Sequence, residues 1–336
     1  MRLRFAAFVG VCSVLALAAG GAPEPVQHET ACGASLGLFA TDPNYDYAVM
    51  LEEIRGRGAS DVLVVYRLMQ EDVGSNDMRR QPGYSPSIAT IQRTIRQARS
   101  LGLRVGLMPM VGVEAREDAE WRGSITLGGE PDIWFEHYTS QLLEAARLAD
   151  QGHVNRLFVG SELNGIERFE DEWRTLIRRV RTRFSGTLTY SANWDRYQSL
   201  GFWDALDEVA VSAYFRMDER GNEDADARAL WRSHLTHLRD FAYGLGRPLL
   251  ISEVGYPAHA DAAKYPWDET RDALLDLREQ ARLLRSFCEA HIPQRDGGYY
   301  VWNWFGQGGP RDPGYSLRGK PAADVFERCM EESNDE

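Results

Sequence analysis

The chain has 336 residues, 43% hydrophobic and 26% charged, with no low-complexity tract, so there is ample length to bury a core. Its formal net charge of −12, with seven His and no Lys/Arg-rich run, excludes a surface built to track phosphate backbones, and no nucleic-acid partner is expected.

The first residues, "MRLRFAAFVGVCSVLALAAGGAPEP", place two arginines before an apolar stretch and then a run of small residues. That order predicts a secretory signal over residues 1–22, cleaved around Ala19 to Ala22, and hence a secreted or periplasmic protein. The apolar run is short for a spanning helix and no later segment is longer, so no stable membrane insertion is expected after cleavage. Cys12 does not follow the small-residue pattern of a lipoprotein site. Cleavage leaves Cys32, Cys288 and Cys329, enough for one disulfide and one spare thiol in an oxidising compartment. Cys32 stands just before the first predicted strand and Cys329 at the end of the last predicted helix. A fold that brings its termini together would pair those two. No CxxC and no clustered His suggests a metal site.

Periodicity then alternates along the chain. A strand at 35–40 is followed by an amphipathic helix at 45–59 and a strand at 61–69. A helix at 85–102 precedes the strand 104–111, and a helix at 132–152 precedes the strand 154–163. Next come a helix at 171–184, a strand at 186–194, a short helical "GFWDAL" at 201–206 and a strand at 208–215. The long helix 226–246 leads to the strand 247–256, the helix 270–290 to the strand 298–305, and a helix at 321–329 closes the series. Eight strands separated by helices, apolar on both faces, are the mark of parallel β covered by crossover helices. A single-domain (β/α)8 TIM barrel over 35–330 is the simplest closure, after a lead segment at 23–34 and before a solvated acidic tail at 331–336. A doubly wound open sheet is less well matched, because no glycine-rich phosphate loop follows the first strand.

Two strands end on a lone acid: "RLFVGSELNG" (156–165) on Glu162 and "PLLISEVGYP" (248–257) on Glu253. In a barrel the C-terminal strand ends point into the active-site mouth, so strands four and seven would bring these acids to one cavity. Alternation supports this placement, putting Glu253 on a face with Ile251 and Leu249, and Glu162 with Gly160 and Phe158, as inward-pointing residues at the barrel rim. Two carboxyls without metal ligands suit a glycosidic bond, one protonating the leaving oxygen while the other attacks the anomeric carbon. Such chemistry needs no cofactor. Trp121, Trp194, Trp302 and Trp304 fall in strand-end loops, where flat faces with a polar edge suit sugar rings, whereas Trp134, Trp173 and Trp231 sit at helical spacing and read as packing. Tyr214, ending strand six, is placed to donate to Glu253. His234 and His237 lack a third ligand and read as solvent-facing. The stretches 127–132 and 256–270 read as rim loops that set substrate length.

These acids, the strand-six tyrosine and the strand-eight tryptophan together resemble clan A of the glycoside hydrolases, and more narrowly family 113, whose characterised members are endo-acting β-1,4-mannanases. The likeness extends over nearly the whole mature chain, through "WRGSI" (121–125), "WFEHY" (134–138), "FVGSELN" (158–164), "WRTLIRRVR" (173–181), "LTYSANW" (188–194), "AYF" (213–215), "PLLISEVGY" (248–256), "VWNW" (301–304) and "GYSLRGKPA" (314–322). It implies Glu162 as general acid/base and Glu253 as nucleophile, with Tyr214 orienting the nucleophile. It also implies Trp302 as floor of the reacting sugar's subsite, with Asn193, Trp194 and Trp121 shaping the cleft. One departure is Ser161, where many clan members place an Asn against the sugar 2-hydroxyl; Ser161 or Asn193 would make that contact here. The expected partner is a polysaccharide or oligosaccharide and the expected state a monomer. An envelope glycosidase acting on the organism's own exopolysaccharide, and an inactive carbohydrate-binding barrel, are the alternative readings.

Overall fold

The computed structural model describes residues 30–115, 120–127, 131–218, 225–291 and 297–334. The signal segment and the last two residues of the acidic tail lie outside the described residues; residues 331–334 continue the last helix. Eight parallel strands close in chain order: β1 (Ala31–Gly37), β2 (Asp61–Gln70), β3 (Arg104–Val113), β4 (Arg156–Ser161), β5 (Thr187–Asn193), β6 (Val209–Ser212), β7 (Leu249–Val254) and β8 (Gly298–Val301). Closure is made by β1 on β8, from Ala31 opposite Gly298 to Ala34 opposite Val301. Around them run α1 (Ala48–Gly56), α2 (Ile88–Ser100), α3 (Pro131–Gln151), α4 (Glu170–Arg181), α5 (Ala225–Gly244), α6 (Leu277–Cys288) and α7 (Pro321–Asn334). The fold is a single-domain (β/α)8 barrel.

Helix α4 shows how the sequence dictates these elements. Trp173, Leu176, Ile177 and Val180 recur at helical spacing and are its buried residues. Glu170, Asp171 and Glu172 occupy its first turn and Arg178, Arg179 and Arg181 its last, matching the macrodipole at both ends. Its buried face meets the barrel through Trp173, whose ring lies 5.4 Å from Tyr190 and stacks on Phe202 at 5.2 Å.

Three boundaries differ from the periodicity. Strand β1 begins at Ala31, inside the expected lead segment, and ends at Gly37, because its small residues ACGASLG hide the β pattern. Gly33 passes so close to β2 that a Cβ there would lie 1.9 Å from the Asp61 carbonyl oxygen. Helix α6 begins at Leu277, where Asp276 Oδ1 accepts from the N–H groups of Arg278 at 2.9 Å and Glu279 at 3.0 Å; the rim loop before it is correspondingly longer. The stretch 201–206 is a short 3-10 turn, Trp203–Ala205, which with Tyr197–Ser199 replaces the helix after β5.

An inner core of Leu63, Val65, Met108, Met110, Phe158, Leu250 and Tyr300 fills the barrel, and the helix-facing core surrounds it. Toward the strand N-termini the interior turns polar. Arg156 is paired with Glu208 and donates to the Tyr300 hydroxyl at 3.1 Å, and Arg104 Nη2 reaches Asp61 at 2.7 Å. The buried members, Arg156, Glu208 and Asp61, are all paired and hydrogen-bonded, as burial requires.

The disulfide corrects the Cys32–Cys329 expectation: Cys288 at the end of α6 bonds Cys329 in α7, with Cα atoms 5.7 Å apart. The termini do meet, through β1 and β8, but Cys32 is a wall residue of β1 and its buried thiol stays outside the bridge, while α7 turns Cys329 toward its neighbour α6. The Trp134, Trp173 and Trp231 side chains are buried packing, as expected. His234 is not solvent-facing: it is half-buried and stacked on Phe215 at 4.0 Å. Reducing the bridge, whose loop spans 41 residues, is expected to lower stability by about 2–4 kcal/mol in urea unfolding. A Cys32→Ala variant should keep that sensitivity to reductant. Its loss in Cys32→Ala would restore the other pairing.

Candidate active site

Both strand-end acids face the barrel mouth, but for Glu253 simple alternation is not the reason: Leu249 and Ile251, expected to point inward with it, face the helices. Along β7, Leu249, Ile251 and Val254 pack in the helix-facing layer and Leu250 inside. Val211 is level with Ile251, yet the next residue, Ser212, is level with Glu253, so β7 carries one extra residue. That bulge turns both Ser252, whose hydroxyl meets Ser191 at 2.8 Å, and Glu253 inward. Strand β4 repeats the device: Phe158 is level with Thr189 and Ser161 with Ser191. Between them Val159 packs outward, and a Cβ on Gly160 would strike Tyr190 at 2.7 Å and Trp173 at 3.2 Å, both outer-layer rings.

Glu162 itself has φ of 53°, a left-handed conformation costly for a residue other than glycine. Neighbouring bonds hold it there. Its own N–H donates to the Ser191 carbonyl at 2.8 Å, and the next N–H, of Leu163, donates to the Tyr190 hydroxyl at 2.7 Å. The Tyr190 hydroxyl in turn donates to Glu167 Oε1 at 2.9 Å.

The two carboxyls are 5% and 2% exposed, for Glu162 and Glu253 respectively. Ser212, level with Glu253 in the sheet, donates its hydroxyl to Glu162 Oε1, and the Arg122 guanidinium pairs with Glu162 Oε2. Tyr214 donates to Glu253 Oε2 at 2.9 Å, while Glu253 Oε1 meets no hydrogen-bond partner. Burial first, and then Glu253, keep the Tyr214 proton on by raising its pKa well above the usual phenol value. Burial, followed by the charge of Glu162, pushes Glu253 up to about 8, with Arg122 and the Tyr214 bond pulling the other way.

The aromatic residues divide. Trp302, directly after β8, is half-buried in the mouth with Phe39 at 6.4 Å, and Phe305 lies 5.3 Å beyond Phe39. Across the mouth Trp194 stacks on Trp267 with planes 19° apart. Trp121 lies beneath the Arg122 guanidinium at 5.6 Å. Trp304 is not in the site: it is buried against Phe326 of α7 and its indole N–H donates to Glu53 of α1 at 2.8 Å. It stands two residues after Trp302, where strict alternation would have put both on one face. Asn193 closes β5, half-buried, and Ser161 closes β4, fully buried; Asn193 Oδ1 and the Ser161 hydroxyl meet no protein partner. Arg122, Ser212 and Trp267 are the residues that sequence reasoning missed. Each lies in a stretch already singled out, yet nothing in sequence distinguishes an arginine aimed at a carboxylate from one in solvent.

The family model described as Glycoside Hydrolase Family 113 matches residues 36–319. Among solved structures, a β-1,4-mannanase of that family superposes with a TM-score of 0.80 at 25% identity, covering 90% of this chain and 99% of its own. The family 113 β-mannanase of Alicyclobacillus acidocaldarius, solved in complex with ManMIm, does so at 0.80 and 28% identity, covering 91% and 98%. A family 5 mannosidase from Rhizomucor miehei, at 11% identity and a TM-score of 0.64 over 91% and 94%, shares the fold. No curated protein matches.

The buried proton has a thermodynamic signature. Between the ordinary value of 4.5 and about 8 the folded chain holds a proton on Glu253 that the unfolded chain releases, so stability falls as pH rises through that window. Glu253→Gln cannot ionise and escapes the loss. Near pH 9 it is expected to be more stable than wild type, by on the order of a few kcal/mol, with the gap closing near pH 4. Urea unfolding at both pH values measures this. A gap that does not change with pH would contradict the raised Glu253.

Proposed function

This chain belongs to glycoside hydrolase family 113, and on that footing we propose that it hydrolyses β-1,4-linked mannan from within the chain, with retention of anomeric configuration. The observation that carries the reading is the pair of inward carboxyls at the ends of β4 and β7, with Ser212 and Arg122 bound to Glu162 and Tyr214 to Glu253, and no cofactor required by the chemistry.

Glu253 is the nucleophile in this reading. Tyr214 binds Oε2 and leaves Oε1 directed at C1 of the sugar over Trp302. Glu162, oriented by Ser212, gives its proton to the leaving glycosidic oxygen. A glycosyl-enzyme forms on Glu253; water deprotonated by Glu162 then releases the sugar. In the resting site Arg122 is paired to Glu162 while Glu253 is the raised carboxyl, so one proton must move between the acids as substrate enters. A sugar that draws Arg122 away from Glu162 makes that transfer favourable. Arg122 is therefore a positioning residue for the proton in this reading. The signal-like N-terminus supports export, to a secreted or periplasmic location, and a monomer is the simplest working state.

Reducing-end release from β-mannan, glucomannan, β-glucan and xylan tests the reading. Release from mannan should fall by at least about 10⁴-fold in both Glu253→Ala and Glu162→Ala, and NMR of the first product should show the β-anomer. Silence of a folded wild type on mannan would sink the mannanase assignment, and an α-anomer would sink retention. In Arg122→Gln the pair loses the cation that lowers Glu253. The bell of kcat/KM against pH should move to higher pH by on the order of one unit. A bell that stays in place would show that Arg122 does not set the proton.

A further inference from the structure

Strand β5 holds Glu162 through two different groups. The Glu162 N–H continues the β4–β5 ladder, donating to the Ser191 carbonyl at 2.8 Å. The next N–H, of Leu163, leaves the ladder and donates to the side-chain hydroxyl of Tyr190 at 2.7 Å. Those N–H groups belong to the two peptide planes that flank the Glu162 Cα. Fixing both planes fixes φ and ψ of Glu162, and with them the direction in which its side chain leaves the backbone. A φ of 53° persists only where the surroundings hold it.

Tyr190 is itself held from behind the barrel wall. It is fully buried in the helix-facing layer, its ring 5.4 Å from Trp173 and 5.5 Å from Phe202. A Cβ on Gly160 would lie 2.7 Å from that ring, so β4 makes room for it two residues before Glu162. A phenol hydroxyl has one proton, and it accepts from Leu163 only while that proton points elsewhere. Glu167 takes the proton's direction: the hydroxyl donates to Glu167 Oε1 at 2.9 Å. Glu167 is 5% exposed and its Oε2 meets no hydrogen-bond partner. Burial raises this carboxyl to about 7, with the Tyr190 bond pulling the other way, and charged or neutral it keeps an oxygen that accepts.

We propose that Tyr190 and Glu167 are a positioning pair for the acid/base: Glu167 orients the Tyr190 hydroxyl, the hydroxyl fixes the Leu163 peptide, and that peptide aims the Glu162 carboxyl at the leaving oxygen. The proposal rests on the reading of Glu162 as acid/base. It differs from the parts played by Ser212 and Arg122, which bind the carboxyl itself, because this pair acts through the backbone.

A misaimed Glu162 harms the steps that need its proton, and that separates positioning from a general structural role. Wild type, Tyr190→Phe, Glu167→Leu and Glu167→Gln are compared on mannopentaose, whose sugar leaving group needs protonation, and on 2,4-dinitrophenyl β-mannobioside, whose phenolate departs without it. Thermal unfolding checks that each variant is folded. In Tyr190→Phe and Glu167→Leu, kcat/KM should fall roughly 30-fold on mannopentaose, part of the ~10²–10⁴-fold that proton transfer contributes, and less than about 3-fold on the aryl glycoside. Azide should raise kcat of both variants on the aryl glycoside, because the anion attacks C1 of the glycosyl-enzyme without a base, displacing the Glu253 carboxylate and giving the glycosyl azide. Glu167→Gln keeps the volume and an accepting oxygen, and should recover at least about 5-fold of the Glu167→Leu loss on mannopentaose. Equal losses on both substrates, or no effect of azide, would overturn the positioning role and leave a packing contact. A Glu167→Gln no better than Glu167→Leu would overturn the orienting bond from Glu167. Glu162→Ala is the benchmark and should show the same selectivity in full; without it, or with a wild type inert on both substrates, the acid/base or mannan reading falls, and this proposal with it.

Discussion

Two carboxyl groups buried in one mouth repel each other once both are charged, and a single guanidinium keeps the arrangement compatible with a folded barrel. Arg122 pairs with Glu162, and its charge also lowers Glu253, against the larger upward push of burial. The remaining contacts are arranged around that cation. Ser212 takes the other oxygen of Glu162, and Tyr214 takes one oxygen of Glu253 while its own proton is held fast. The site thus gathers two carboxyls and one cation in a region of low dielectric, where their charges act strongly on one another.

Getting two glutamates to that point requires departures from regular structure. An extra residue in β7 breaks the alternation that would otherwise turn Glu253 toward the helices with Leu249 and Ile251, and an extra residue in β4 faces Gly160 outward after the inward Phe158. Glu162 adds a left-handed backbone, restrained by hydrogen bonds to Ser191 and, through Leu163, to Tyr190. Such local costs persist only where the surroundings over-determine them. Here the opposite end of the barrel supplies a rigid base, with Arg156, Glu208 and Tyr300 joined inside it and Arg104 clamping Asp61 at its edge.

The mouth is asymmetric in a way that matches a polar chain running across it. On the β8 and β1 side, Trp302, Phe39 and Phe305 form an aromatic wall, with the Arg67 guanidinium 4.2 Å over Phe39. On the β5 side Trp194 and Trp267 stack, and Trp267, 46% exposed, presents a ring face that no core packing requires. Glu162 and its partner Arg122 lie at the end of β4, so apolar faces and charged groups occupy different parts of the mouth. Sugar rings offer both kinds of surface.

The sequence by itself determined the barrel, because eight apolar strands alternating with amphipathic helices have few other ways to bury both faces. It also determined that Glu162 and Glu253 share the mouth with Tyr214, since strand ends in this fold converge whatever the intervening residues do. Tertiary structure decided what depends on exact facing and distance. Trp302 and Trp304 read alike in sequence, yet one lies in the mouth and the other behind the wall against α7. Cys329 was offered two partners and took Cys288, because neighbouring helices fixed its direction. The inward turn of Glu253 came from a bulge that no periodicity reveals, and the pairing of Arg122 with Glu162 came from a loop whose path only packing sets. Periodicity reports which faces are apolar. It carries no information on one-residue register shifts or on contacts between loops far apart in the chain, and those are what position the chemistry.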